Sequence, residues 1–257
     1  MTEAFSGTSI PQLGETVQSP GLGAGRVRGP AFELKFQLTA AEAHVVDVWA
    51  RQHLVPDPHG QHGTYRITSV YCDTPQLDVF HRSPGYRRRK YRLRRYGDSP
   101  EIFLERKTRR GDRVKKKRAA VPAEELSLLA AAAAPSDWAG AWFLRRLGKR
   151  GLKPACRVAY HRTAFFGRSG DAGVRLTMDQ DLVGAPANDW DISPLCDGLP
   201  LLQGAVLVEL KFHAHLPDLF RELLPRLPLQ QARLSKFRRC VELCGLVGPG
   251  YRSEEEA

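Results

Sequence analysis

The sequence predicts an α+β domain dominated by antiparallel strands. Three observations predict it. Segments of alternating apolar and polar residues recur along the chain, turn residues separate them, and helix-period stretches fall in a central insertion and near the C-terminus. The order is strands, a helical insertion, more strands and terminal helices, with no internal repeat.

The first strand is FELKFQL, 32–38, where Phe32, Leu34 and Phe36 share one face. A helix follows over TAAEAHVVDVWARQHL, and Thr39 with Glu42 forms a capping box at its start. TYRITSVYCD (64–73), the basic segment up to about Tyr96 and EIFLERK (101–107) read as strands, the last two joined by a turn at Gly97–Asp98–Ser99–Pro100. A further strand runs from Val114 to Val121. Pro122 opens a helical insertion to about residue 148; its alanine run favours helix because alanine is the best helix former. ACRVAYHRTAFFG (155–167), VRLTMDQDL (174–182) and AVLVELKFH (205–213) are strands, LPDLFRELL is a helix, and a last helix spans Ser235 to a glycine cap at Gly245. Together they form one domain over 30–247. A Gly/Ser/Pro-rich leader, 1–29, and an acidic tail, 248–257, read as disordered. The GLGAG of the leader has no preceding strand, so it is not a dinucleotide loop.

The chain of 257 residues carries 39 Lys or Arg against 28 Asp or Glu, a net charge of +11. Such a balance points to a polyanionic partner: nucleic acid, an anionic membrane or a phosphate-rich molecule. The charge is focused, with seventeen Lys or Arg and four acids between Arg82 and Arg118. Five cysteines without a CxxC pair read as packing residues and suit a reducing cytoplasm. No apolar run approaches a membrane span, no signal peptide is visible, and the eight histidines have no metal spacing.

Five strands share one design, an apolar face opposed to a face of Lys, Arg and Glu. Leu207, Glu209 and Lys211 oppose Val206, Val208, Leu210 and Phe212; Arg175, Thr177 and Asp179 oppose Leu176 and Met178. Phe103, Glu105 and Lys107 oppose Ile102 and Leu104, and Arg92 and Arg94 oppose Tyr91 and Leu93. A sandwich with its charges outward has the same alternation. An inside-out barrel, with a charged lumen and helices over its apolar outer face, accounts for three further details. The charges are mostly cationic, each Glu precedes a Lys by two (33/35, 105/107, 209/211), and helices are available to cover the apolar faces.

The motifs FELKF, YRLRRYG, FLERK, YHRTAF, VRLTMD, VELKF and LSKF, in that order from about Phe32 to Gly245, resemble the catalytic domain of the vacuolar transporter chaperone (VTC) polyphosphate polymerases, a branch of the triphosphate tunnel metalloenzymes. The resemblance implies an antiparallel β-barrel tunnel holding a triphosphate or polyphosphate. Its catalytic basic wall falls on Lys35, Arg92, Arg94, Lys107, Arg162, Arg175 and Lys236, and its phosphate contacts on Tyr160, Lys211 and one of Lys115, Lys116 and Lys117. Glu209 takes the metal position, with Glu33 either a second ligand or an ion-pair partner. Glu105 reads as an ion-pair partner, and Lys236 as either a wall residue or a surface cap.

The chemistry suits that arrangement. Phosphoryl transfer asks for in-line positioning and charge neutralisation, and few carboxylates suffice when Mn²⁺ or Mg²⁺ draws its other ligands from phosphates and water. The expected activity is metal-dependent transfer of the γ-phosphoryl of ATP to inorganic polyphosphate. Hydrolytic relatives carry a further glutamate where Ala31 stands, which weighs against a triphosphatase; a non-catalytic polyanion binder is the other alternative. Nucleic acid is not expected, because Tyr86, Tyr91 and Tyr96 fall on both strand faces and form no stacking platform.

Overall fold

The computed structural model describes residues 31–110, 113–168, 173–227, 231–232 and 234–248; the expected leader, and the tail from residue 249, lie outside them. Ten strands form one antiparallel sheet: β1 (Ala31–Leu38), β2 (Val55–Pro56), β3 (Thr64–Asp73), β4 (Arg89–Tyr96), β5 (Glu101–Arg110), β6 (Arg113–Pro122), β7 (Lys153–Phe166), β8 (Arg175–Pro186), β9 (Leu199–Pro200) and β10 (Val206–His213). The helices are α1 (Ala40–His53), α2 (Ser127–Ala130), α3 (Ala141–Arg150), α4 (Asp218–Leu223) and α5 (Lys236–Leu243). Strand order is β1-β10-β8-β7-β3-β4-β5-β6, with β2 on β7 and β9 on β8.

The sheet curls with its charged faces inward. β1 and β6 are edges, so the barrel is not closed by backbone hydrogen bonds. Side chains approach across the gap instead, Lys107 Nζ of β5 lying 3.8 Å from Glu33 Oε2 of β1.

Period-two alternation places the apolar residues outside, where helices cover them. Phe36, Val208, Leu210, Phe212, Leu176 and Met178 form a core with Val46, Trp49 and Ala50 of α1 and Phe220 of α4. Tyr91, Leu93, Ile102 and Leu104 pack with Phe143 and Leu147 of α3. Each such side chain contributes roughly 1.5–3 kcal/mol on burial. The polar lumen is therefore held in shape by packing on the barrel's outside.

Thr39 caps α1 through the expected capping box, and Gly245 takes positive φ (63°) after α5. The insertion departs from expectation in its first half, whereas α3 supplies helix in its second. A 3-10 turn and the four-residue α2 replace the long helix, and the alanine run leaves helical geometry after Ala130, with Ala132 at φ 53°. Isolated helices of this length are marginal without a packed face, Leu129 is the sole buried residue of α2, and Pro135 blocks continuation.

Candidate active site in the barrel lumen

Cross-strand register decides which charges meet. Tyr71, Arg92, Glu105 and Arg118 stand side by side on β3, β4, β5 and β6; one step along, Lys90, Lys107 and Lys116 do the same. On the opposite wall Lys35, Glu209 and Thr177 are neighbours on β1, β10 and β8, and Asp179 pairs with Arg162 of β7.

Three carboxylate centres organise these cations. Glu105, 2% exposed, lies 2.6 Å from each of Arg92, Lys116 and Arg118. Burial opposes its ionisation, yet Arg92, Arg94, Lys116 and Arg118 hold the carboxyl far below the usual carboxylate range. Asp179, fully buried, accepts two hydrogen bonds from Arg162 (2.6 and 2.7 Å) and one contact from Lys236 Nζ (2.5 Å). Against the cost of burial, these two cations keep Asp179 ionised. Glu209 accepts from Lys211 (2.6 Å) and lies 3.3 Å from Lys35. Burial again works against its charge, and Lys211, Lys236, Lys35 and Arg162 outweigh it.

Most of the expected wall residues gather here. Lys35 bridges Glu33 (3.1 Å) and Glu209, and despite burial those carboxylates raise its pKa. Arg94 is buried, donating to Ser69 Oγ and to the Tyr160 hydroxyl, both at 3.2 Å. Tyr160 also receives the Lys236 ammonium over its ring at 4.9 Å and the Arg162 guanidinium at 5.4 Å. Lys236 is thus a lumen residue and not a surface cap: α5 brings its first turn inward, with Phe237 against Tyr71. Lys107 is half exposed near the rim beside Glu33. Arg175 lies at one side of the lumen, 3.3 Å from the Tyr65 hydroxyl and 3.4 Å from Asp57.

Of the three consecutive lysines, Lys116 is the one that reaches the lumen. Lys117 lies over the Trp142 ring of α3 at 4.5 Å, on the outer face, and Lys115 shares that face by alternation. Sequence reasoning assigned no role to Asp179 or Arg118, and took Glu105 as a simple ion-pair partner. Asp179 was visible as the carboxylate alternating with Arg175 and Thr177. The Glu105–Arg118 pairing follows from the β5–β6 register.

Glu33 and Glu209 offer oxygens around one point, now held by the Lys35 ammonium. Thr177, cross-strand from Glu209, has its hydroxyl buried without a hydrogen-bond partner among the described residues. That all-oxygen set fits a hard divalent cation completed by phosphate and water. No cluster of three or more His, Cys, Asp or Glu is arranged for a metal among the described residues. A separate cleft of about 660 Å³ opens outside the barrel between Arg95, Ser127, Asp189, Trp190 and Asp191. Its Asp191 is paired with Arg157, and its Arg95 with the backbone carbonyls of Asp98 and Ser99.

Comparison with known proteins agrees with this architecture. The family model described as VTC domain matches residues 31–244. No curated protein matches the sequence. Among solved structures, a candidate adenylate cyclase from Bacillus halodurans aligns with 14% identity and a TM-score of 0.51, covering 80% of this chain and 94% of its own. A protein from Pyrococcus horikoshii aligns with 15% identity and a TM-score of 0.47, over 82% of this chain and 99% of that one. A candidate adenylyl cyclase from Hippeastrum, described as having a dominant triphosphatase activity, aligns with 14% identity and a TM-score of 0.48, over 86% and 98%. The Bacillus protein is similar in fold.

Proposed function

The chain belongs to the VTC domain family, and on that premise we propose that it is a metal-dependent phosphotransferase extending inorganic polyphosphate from ATP. The observation that carries the reading is the meeting of Lys35, Arg92, Arg94, Arg162 and Lys236, from three strands and a helix, in one buried lumen.

The terminal oxygen of the bound polyphosphate attacks the γ-phosphorus of ATP. A new P–O–P bond forms, the bond to the β-phosphate's bridging oxygen breaks, and ADP leaves. The nucleophile is a phosphate oxygen, so no protein nucleophile is required. Arg92, Arg94, Lys107, Arg162 and Arg175 hold the chain and the triphosphate; Lys211, Lys116 and Tyr160 add contacts. Planar guanidinium forks fix phosphate oxygens in direction, while ammonium groups act as point charges. Lys35 and Lys236 neutralise the charge on the transferred group. Glu209 and Glu33, with Thr177 beside them, would hold Mn²⁺ or Mg²⁺, which when bound supplies Lewis-acid stabilisation of phosphoryl oxygens.

Incubation with ATP and Mn²⁺, with polyphosphate read on a gel and free phosphate by colour assay, tests this. A ladder of chains is expected, lost in Lys35→Ala and Glu209→Ala. Free phosphate without chains would mean a triphosphatase. Tight polyphosphate binding with neither product would leave a binding module.

A further inference from the structure

Within the lumen, most cations already have a carboxylate. Among the described residues on β4, Arg92 is paired with Glu105, whereas Arg94 donates to the Ser69 and Tyr160 hydroxyls and lies over the Tyr96 ring. Lys90 is the more exposed case electrostatically. It points into the same lumen by alternation with Arg92, and its Nζ donates to Ser235 Oγ at 2.8 Å, immediately before α5. No carboxylate contacts it among the described residues. Around it stand Lys35 of β1, Lys107 of β5 and Arg92 of its own strand, with the field of Glu33 of β1 acting against theirs. Asp73, at the end of β3, is turned to the backbone N–H groups of Thr74, Val79 and Phe80, and Lys236 of α5 is held by Asp179.

A half-buried amine among three cations, hydrogen-bonded to a neutral hydroxyl, has no counter-anion in contact among the described residues. We propose that Lys90 is a further phosphate-binding residue of this tunnel, resting on the phosphate-chain reading above, and that chain binding is accompanied there by uptake of a proton from solvent. The balance is simple: the neutral amine of the empty protein takes one proton as the phosphate's negative charge arrives beside it, and no other bond changes. Burial first, and then Lys35, Lys107 and Arg92, lower the Lys90 pKa to about 7 in the empty protein. A phosphate placed there opposes all three cations and restores the charge. Because Ser235 adjoins Lys236, the same event couples chain occupancy to the turn that carries Lys236 into the lumen.

The test is calorimetric titration of the purified protein with inorganic tripolyphosphate, without added metal, at about pH 8 in two buffers of different ionisation enthalpy. Wild type, Lys90→Met and Lys90→Arg are compared, so the ligand's own titration is common to all three. Wild type should take up more protons on binding than either variant. Lys90→Met should bind at least ~10-fold more weakly at about pH 7, a loss of one charge contact. Lys90→Arg, charged throughout, should bind as tightly as wild type near pH 7 and lose less affinity than wild type as pH rises. Equal proton uptake in all three proteins, or undiminished affinity in a folded Lys90→Met protein, would overturn the proposal. Failure of the wild type itself to bind tripolyphosphate would instead remove the phosphate-chain reading, and this inference with it.

Discussion

Replacing Glu105 with glutamine tests whether the empty lumen is held together by its internal carboxylates. The change keeps volume and shape but removes the charge shared by Arg92, Lys116 and Arg118, each 2.6 Å away. Losing one partner of a buried ion pair costs about 3–5 kcal/mol. The cations here retain some hydration, their side chains being 23%, 45% and 26% exposed, so the low end applies. At roughly 2–4 °C per kcal/mol for a chain of this size, about 3 kcal/mol lowers Tm by about 6–12 °C. Differential scanning calorimetry of both proteins in polyanion-free buffer would show the drop. Saturating tripolyphosphate should recover most of it, since phosphate oxygens replace the missing charge. The pH dependence has a definite sign. The folded Glu105 carboxyl is held below its unfolded value, so its stabilisation is complete above the unfolded value of about 4.3 and fades as pH falls below it. The gap between the two proteins should therefore be constant at neutral pH and narrow only in acid. An unchanged Tm, or a drop that tripolyphosphate does not reduce, would refute the reasoning.

Two further substitutions probe the wall. Lys116→Ala should weaken tripolyphosphate binding about tenfold, whereas Lys117→Ala should leave affinity unchanged and cost only about 0.5–1 kcal/mol of stability through its Trp142 contact, as titration and denaturation would show. Arg162→Lys keeps the charge but loses the two-point grip on Asp179, so product formation should fall at least about tenfold with the fold intact by circular dichroism.

The barrel was legible because its signal has period two and is repeated on strand after strand. The charged face of β10 or β5 can be read one residue at a time, and apolar residues on the opposite face specify register strongly. The identity of the lumen lysine among 115–117 was also present in the chain. Pairing Lys107 with Lys116 follows from the register that sets Arg110 opposite Arg113. The alanine run misled because propensity is a weak prior when no tertiary face supports the helix. Apart from Lys236, which the family resemblance put in the wall, the contacts made by α5 were not legible. Lys90 and Ser235 are 145 residues apart, and nothing local to either indicates that a helix end enters the barrel.

The distribution of acids gives the lumen a direction. Glu33, Glu209 and Asp179 stand on three adjoining strands, β1, β10 and β8, while the β4 wall presents Lys90 and Arg94 without carboxylates among the described residues. A uniform cationic lining would suffer mutual repulsion in a low-dielectric enclosure, and a fully paired one would have little attraction for an anion. The observed arrangement avoids both. Asp179 and Glu209 hold Arg162, Lys236, Lys35 and Lys211 in place, Glu105 holds Arg92, Lys116 and Arg118, and on β4 Lys90 and Arg94 have no carboxylate in contact among the described residues. On the phosphotransferase reading, the two walls then act differently. The β4 wall neutralises the chain directly, while the acidic side provides the oxygens for a divalent ion. One anionic substrate is thereby drawn to the lumen as a whole and oriented across it by where the carboxylates are absent.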